Sequence, residues 1–128
     1  MFPDLYVARE LVKAGASSVM PLGSLIGSKQ GLKAKEFIKI LVDEIHEVPI
    51  IVDAGIGTAS HATEAMELGA DAVLANTAVA LAEDPAQLAK SISLAVVAGR
   101  LAYLSKTSRP SDLANSSSPL TGFLYEKQ

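Results

Sequence analysis

The chain has 128 residues and a formal net charge of -3; 49% of its residues are hydrophobic but only 5% are aromatic. A core of Ala, Val, Leu and Ile favours helices packed on buried parallel strands over an aromatic-rich β-sandwich. Scattered basic residues offer no face for nucleic acid, and the absence of cysteine excludes disulfides, thiolate metal sites and a cysteine nucleophile.

The first residues, MFPDLYVARE, carry Asp4 and Glu10 and lack the apolar core of a secretory signal, so a cytoplasmic protein is expected. No apolar run approaches the roughly 18–20 residues of a membrane span, and no membrane association is expected. Met1–Pro3 could form a stub of strand. Asp4–Ala14 reads as a helix with Leu5, Ala8, Leu11 and Val12 on one face, and Gly15 is placed to end it in the left-handed conformation. Ser17–Leu22 reads as a short strand, followed by the loop GSLIGSKQG, Gly23–Gly31. Lys33–His46 reads as a second helix with Phe37, Ile38, Leu41 and Ile45 as its apolar stripe.

Pro49–Asp53 is an unbroken apolar run ending in an acid, as expected of a strand covered on both faces. The loop Ala54–Thr58 leads to a third helix, with Ser60 as N-cap and Gly69 as its stop. Asp71–Ala75 reads as another strand. Asp84-Pro85-Ala86-Gln87 opens a fourth helix: Asp as N-cap, Pro in the first turn, Gln placed to reach back. Its inner stripe is Leu88, Ile92, Ala95 and Val96, and Gly99 either ends the helix or is tolerated inside it. From Ser105 a Ser-, Pro- and Asn-rich tail follows, with one apolar group at SPLTGF. Residues 1–104 are thus expected to form the folded unit and 105–128 the tail.

The pattern Gly-Ala-x-x-Val recurs at Gly15–Val19 and Gly69–Val73, with one strand between the copies. Alternating helix–strand units of this kind imply a parallel sheet. Eight such units would need about 220 residues or more. The chain is therefore either a small open α/β sheet or half of a (β/α)8 barrel.

In either case ligands sit at the carboxyl ends of the strands. Three loops lie there. They carry Gly23, Ser24, Gly27 and Ser28; then Asp53, Ala54, Gly55 and Gly57; then Asn76 and Thr77. Small residues let main-chain N–H groups approach an anion closely. DAGIGT is neither a P-loop nor a dinucleotide fingerprint, and a plain tight turn is the competing reading. Asp53 ends an apolar strand; it is either a general acid or base in a cleft or a cap on the turn after it. His46 and His61 read as exposed. Lys29 could touch a phosphate, but a solvated loop lysine is the plainer reading. No set of carboxylates and histidines has ligand spacing, so no metal is expected, and no cofactor is implied.

Taken together, VMPLGSLIGSKQG, VPIIVDAGIGTASHA, ELGADAVLANTA, EDPAQLAKSISLAVVAGRLAYL and SPLTGF closely resemble the thiazole synthases of thiamine biosynthesis, from about Asp4 to Leu124. The family is a (β/α)8 barrel of about twice this length, so the resemblance implies the C-terminal half of a TIM barrel, parallel strands alternating with helices. It implies condensation of 1-deoxy-D-xylulose 5-phosphate, dehydroglycine and sulfur from the thiocarboxylate end of a sulfur-carrier protein into thiazole phosphate carboxylate. Gly27, Ala54, Gly55, Asn76 and Thr77 resemble the family's sugar-phosphate contacts, and Asp53 its proposed acid/base. Lys29 stands where the family carries a smaller residue. The family's Schiff-base lysine lies on an earlier strand, and no lysine of this chain has the matching context. The resemblance therefore implies a phosphate-gripping half without its nucleophile, expected to form a homo-oligomer. The alternative is a truncated, non-catalytic phosphate-binding or assembly module.

Overall fold

Asp4 starts the first helix, α1 (Leu5–Lys13), by accepting the Val7 N–H on its carboxylate at 2.9 Å. A cap of this kind is worth about 1 kcal/mol. Here and throughout, the structure is a computed structural model that describes residues 1–106. The tail reading, SPLTGF included, falls almost wholly outside the described residues.

After α1 the segment expected as a strand over Ser17–Leu22 is extended but not a regular strand; it bridges in parallel at Val19–Ile50 and Leu22–Asp53. The reason is Pro21, which accepts the Asp53 N–H at 2.9 Å but has none of its own to donate. On either side the ladder is intact: Val19 N–H bonds Pro49 O at 3.0 Å, and Gly23 N–H bonds Asp53 O at 2.8 Å. On the other flank Leu22 N–H donates to Met1 O at 2.9 Å, and the Met1 amine donates to Met20 O at 2.8 Å. Met1–Pro3 forms no strand, but through these two Met1 bonds it lies alongside this segment.

Helix α2 (Lys35–Glu44) starts two residues later than the pattern predicts. Ile38, Leu41 and Ile45 form its buried stripe, but Phe37 is exposed. Phe37 sits one position round the helix from Ile38, and its ring instead meets Phe2 with centroids 6.5 Å apart. Strand β1 (Ile51–Asp53) and strand β2 (Ala72–Leu74) pair in parallel, in register Ile51–Ala72, Val52–Val73 and Asp53–Leu74. The fold is α/β with parallel strand pairing, as the alternating units imply.

Between these strands runs α3 (Ala59–Leu68), capped by Thr58 rather than Ser60. Thr58 Oγ1 accepts the His61 N–H at 3.4 Å, and Ser60 only bonds the Thr58 hydroxyl, at 2.8 Å. Gly69 closes α3 in the left-handed conformation, as expected. A four-residue helix absent from the sequence reading, α4 (Thr77–Ala80), follows β2. The last helix, α5 (Pro85–Leu104), has the expected start: Asp84 accepts the Gln87 N–H at 2.9 Å and Pro85 occupies the first turn.

Gly99 does not end α5; it lies inside it, buried against α3. Thr63 Oγ1 of α3 reaches Ala95 O of α5 at 3.4 Å, which shows how closely the two backbones approach. Ile92 and Ala95 of the expected stripe are buried, and Leu88 and Val96 pack beside them against Val52, Ile56, Ala62 and Ala65. A second cluster of Ala8, Val19, Leu41, Ile45 and Ile50 joins α1 and α2 to the sheet. Fully burying one Ile or Leu in such clusters contributes about 1.5–3 kcal/mol. These clusters, rather than surface pairs such as Arg9–Glu44 at 2.7 Å, hold the strand ends in place.

Candidate functional site

At the carboxyl ends of the strands the three loops, two of them carrying glycine, meet in one cleft of about 230 Å³. Gly27, Asp53, Ala54, Gly55, Asn76 and Thr77 all line it, together with Ile26, Lys29, Ile56, Leu74 and Ala75. The parallel register explains the convergence. Asp53 is bridged to Leu22 on one side and paired with Leu74 on the other, so the three following loops leave the sheet at one level.

The middle loop turns sharply because Ala54 and Gly55 are both left-handed, with φ of 59° and 80°. Ala54 is strained there, since its Cβ crowds the backbone in that region. Gly55 allows no side chain at all: a Cβ would stand 2.5 Å from Gly31 O and still closer to the Ser24 hydroxyl. The Gly31 N–H reaches Gly55 O at 2.8 Å and ties the first loop to the second.

The main-chain donors of this turn divide into two pairs. Ala54 N–H is taken by its neighbour's carboxylate, Asp53 Oδ1, at 2.7 Å. Gly57 N–H is taken by His61 Nδ1 at 3.1 Å. Between them, the N–H groups of Gly55 and Ile56 have no acceptor among the described residues, although both residues are buried. Buried main-chain donors are nearly always paired, so two open ones beside a cleft suit an anion.

Asp53 is half-buried and makes the bond expected of a turn cap, which leaves its other carboxylate oxygen facing no described donor. Lys29 lines the cleft, exposed, with a left-handed φ of 55°. It is the cation of this cleft among the described residues, and its exposure is compatible with both readings of it, a phosphate contact and a solvated loop lysine.

His61 was expected to be exposed and is not. It is half-buried, its Nδ1 holds Gly57, and its ring lies against Gly31. The error followed from the cap. With Ser60 as N-cap, His61 begins the helix; with Thr58 as N-cap it takes the third position, from which a side chain reaches back to the entry of the helix. The Thr-x-x-His spacing was the available signal. His46, by contrast, is exposed as expected.

A larger cavity of about 520 Å³ lies at the opposite, amino ends of the strands, lined by His46, Glu47, Asp71, Arg100 and Tyr103 among others. Its acids are already engaged: Asp71 takes the Ile50 N–H at 2.9 Å and Glu47 the His46 N–H at 3.0 Å. That end of a parallel sheet serves packing rather than ligands. Among the described residues no cluster of His, Asp and Glu has the arrangement of a metal site, and no helix is long and apolar enough to cross a membrane.

Comparison with known proteins bears on the same residues. The family described as thiazole biosynthesis protein ThiG matches residues 1–119. A thiazole synthase of Clostridioides difficile is 60% identical over 124 residues, which cover 97% of this chain and 48% of that protein. A thiazole synthase of Clostridium acetobutylicum is 59% identical over 122 residues, again 48% of its length. Among solved structures, the Amycolatopsis orientalis BexX/CysO complex superimposes with a TM-score of 0.84 at 38% identity, covering 88% of this chain and 46% of that one. The chain spans about half the length of the curated relatives it matches.

Proposed function

We propose a function from one premise: the chain belongs to the family of the thiazole biosynthesis protein ThiG. Its role is to grip a sugar phosphate, 1-deoxy-D-xylulose 5-phosphate, as the C-terminal half of a (β/α)8 thiazole synthase. The observation that carries this reading is the cleft in which Gly27, Ala54, Gly55, Asn76 and Thr77 come together beside two open main-chain donors. Main-chain donors fixed before the ligand arrives cost little reorganisation on binding. Lys29 adds a positive charge to the same cleft.

Asp53 is the acid/base of this reading. Its position at the rim of the cleft supports that role, and the oxygen left over from the Ala54 bond is the one that would move a proton. Among the described residues no lysine ends a strand, so in this reading the Schiff-base amine comes from the other half of the barrel. An amine of that kind attacks the sugar ketone and acidifies the neighbouring carbon. The sulfur donor is a sulfur-carrier protein thiocarboxylate. That the solved BexX chain is bound to a second protein, CysO, supports a protein partner. The setting is the cytoplasm, and the chain acts within a homo-oligomer.

A second reading is a non-catalytic phosphate-binding or assembly module. It is favoured by a cleft whose open main-chain donors suit an anion while no lysine ends a strand among the described residues. Titration with 1-deoxy-D-xylulose 5-phosphate followed by phosphorus NMR tests the shared grip; no binding would overturn the synthase reading and the phosphate-binding module, leaving only an assembly role. Borohydride trapping with the sugar phosphate should give no covalent adduct on this chain alone. Restored turnover when the N-terminal half of a relative is supplied in trans favours the synthase reading, and persistent inactivity favours the module.

A further inference from the structure

We infer that His61 is a positioning residue for the anion cleft, acting through Gly57 and Gly31 rather than by touching the ligand. It rests on the reading of the cleft as a phosphate site. His61 lies within the motif VPIIVDAGIGTASHA, but the resemblance gives it no role, and the sequence reading set it aside as exposed.

Three contacts define the device. His61 Nδ1 accepts the Gly57 N–H at 3.1 Å, so this nitrogen carries no proton and the ring is held as the tautomer protonated on Nε2. The same ring braces the first loop: a Cβ added to Gly31 would stand 2.9 Å from Nε2 and 3.0 Å from Cδ2. Gly31 in turn donates to Gly55 O at 2.8 Å. One imidazole therefore ties the start of α3, the middle loop and the first loop into a closed circuit. Gly57 itself is pressed against the Lys29 backbone, where a Cβ would meet the carbonyl at 2.7 Å.

The circuit selects which donors face the cleft. Asp53 withdraws the Ala54 N–H and His61 withdraws the Gly57 N–H, leaving Gly55 and Ile56 as the adjacent pair. An acceptor at the His61 Nδ1 position is what this requires. Asn supplies an acceptor oxygen attached to the same carbon, whereas Leu fills a similar volume with none.

The test uses the full chain and inorganic phosphate as probe. In nitrogen-15-labelled wild-type protein, a scalar coupling across the hydrogen bond between the Gly57 amide nitrogen and His61 Nδ1 is expected; its absence overturns the inference without any variant. His61→Leu is expected to weaken phosphate binding by about tenfold or more, and His61→Asn to stay within about threefold of wild type. Equal binding by His61→Leu, tighter binding, or equal loss in His61→Asn overturns it. If wild-type protein binds no phosphate while the coupling is present, the phosphate reading fails and the brace stands.

Discussion

Gly99 of α5 and Met66 of α3 sit so close that a Cβ on the glycine would lie 2.7 Å from the methionine Cβ and 2.7 Å from Thr63 O. Backbone cannot yield as a flexible side-chain end can. Gly99→Ala gains helix propensity, roughly 1 kcal/mol, but overpacks this crossing at a cost of about 1–3 kcal/mol. Net destabilisation is expected, read as a lower urea midpoint with an unchanged slope. A higher midpoint would mean the helices separate easily.

Gly55 carries the same logic into the cleft. Gly55→Ala places a methyl group against Gly31 O and the Ser24 hydroxyl at a φ of 80°. The turn must open, so phosphate affinity should fall by about tenfold or more, measured by calorimetry. Ala54→Gly, one residue earlier, should instead relieve strain and stabilise the chain by about 1 kcal/mol.

Glu47 supplies a pH signature. The main-chain N–H groups of Glu47 itself and of His46 hold its carboxyl below the usual carboxylate value. A depressed carboxyl stabilises the folded state above its ordinary titration range and loses that contribution as pH falls through the lowered value. Wild type should therefore exceed Glu47→Gln in stability at neutral pH, with the gap closing at strongly acid pH. A gap that persisted in acid would assign the effect to something other than the ionised carboxylate.

Much of this site was readable because its parts are local. A buried apolar run ending in Asp53 and a glycine turn are set by neighbouring residues, and the alternation of helix and strand implied the parallel pairing that brings Gly27, Gly55 and Asn76 to one cleft. What was misread depends on partners distant in sequence or on one-residue offsets. Phe37 has the apolar character of a core residue, yet Ile38, Leu41 and Ile45 already fill that face. The Ser17–Leu22 pattern ignores that Pro21 removes a ladder donor. Thr58 and Ser60 are both good caps, and only the choice between them decides where His61 points.

Self-association is expected from α5. Its inner residues pack on α3, but Leu94, Val97, Leu101 and Leu104 recur at helical spacing on another face and are each more than half exposed. Among the described residues β2 also pairs on one side only, with β1. Light scattering on the isolated chain should report a mass above that of one copy, and Val97→Glu should lower it. A monomer at every concentration would argue against the proposed homo-oligomer.

The greasy outer flank of α5 also makes the chain a reporter of whether a partner covers it. If a complementary polypeptide shields Leu94 and Val97, coexpression should raise the soluble share of the chain in a cell extract. Libraries of candidate complements could then be sorted by solubility alone, by fusing a fluorescent reporter, with no need for a thiazole-forming assay.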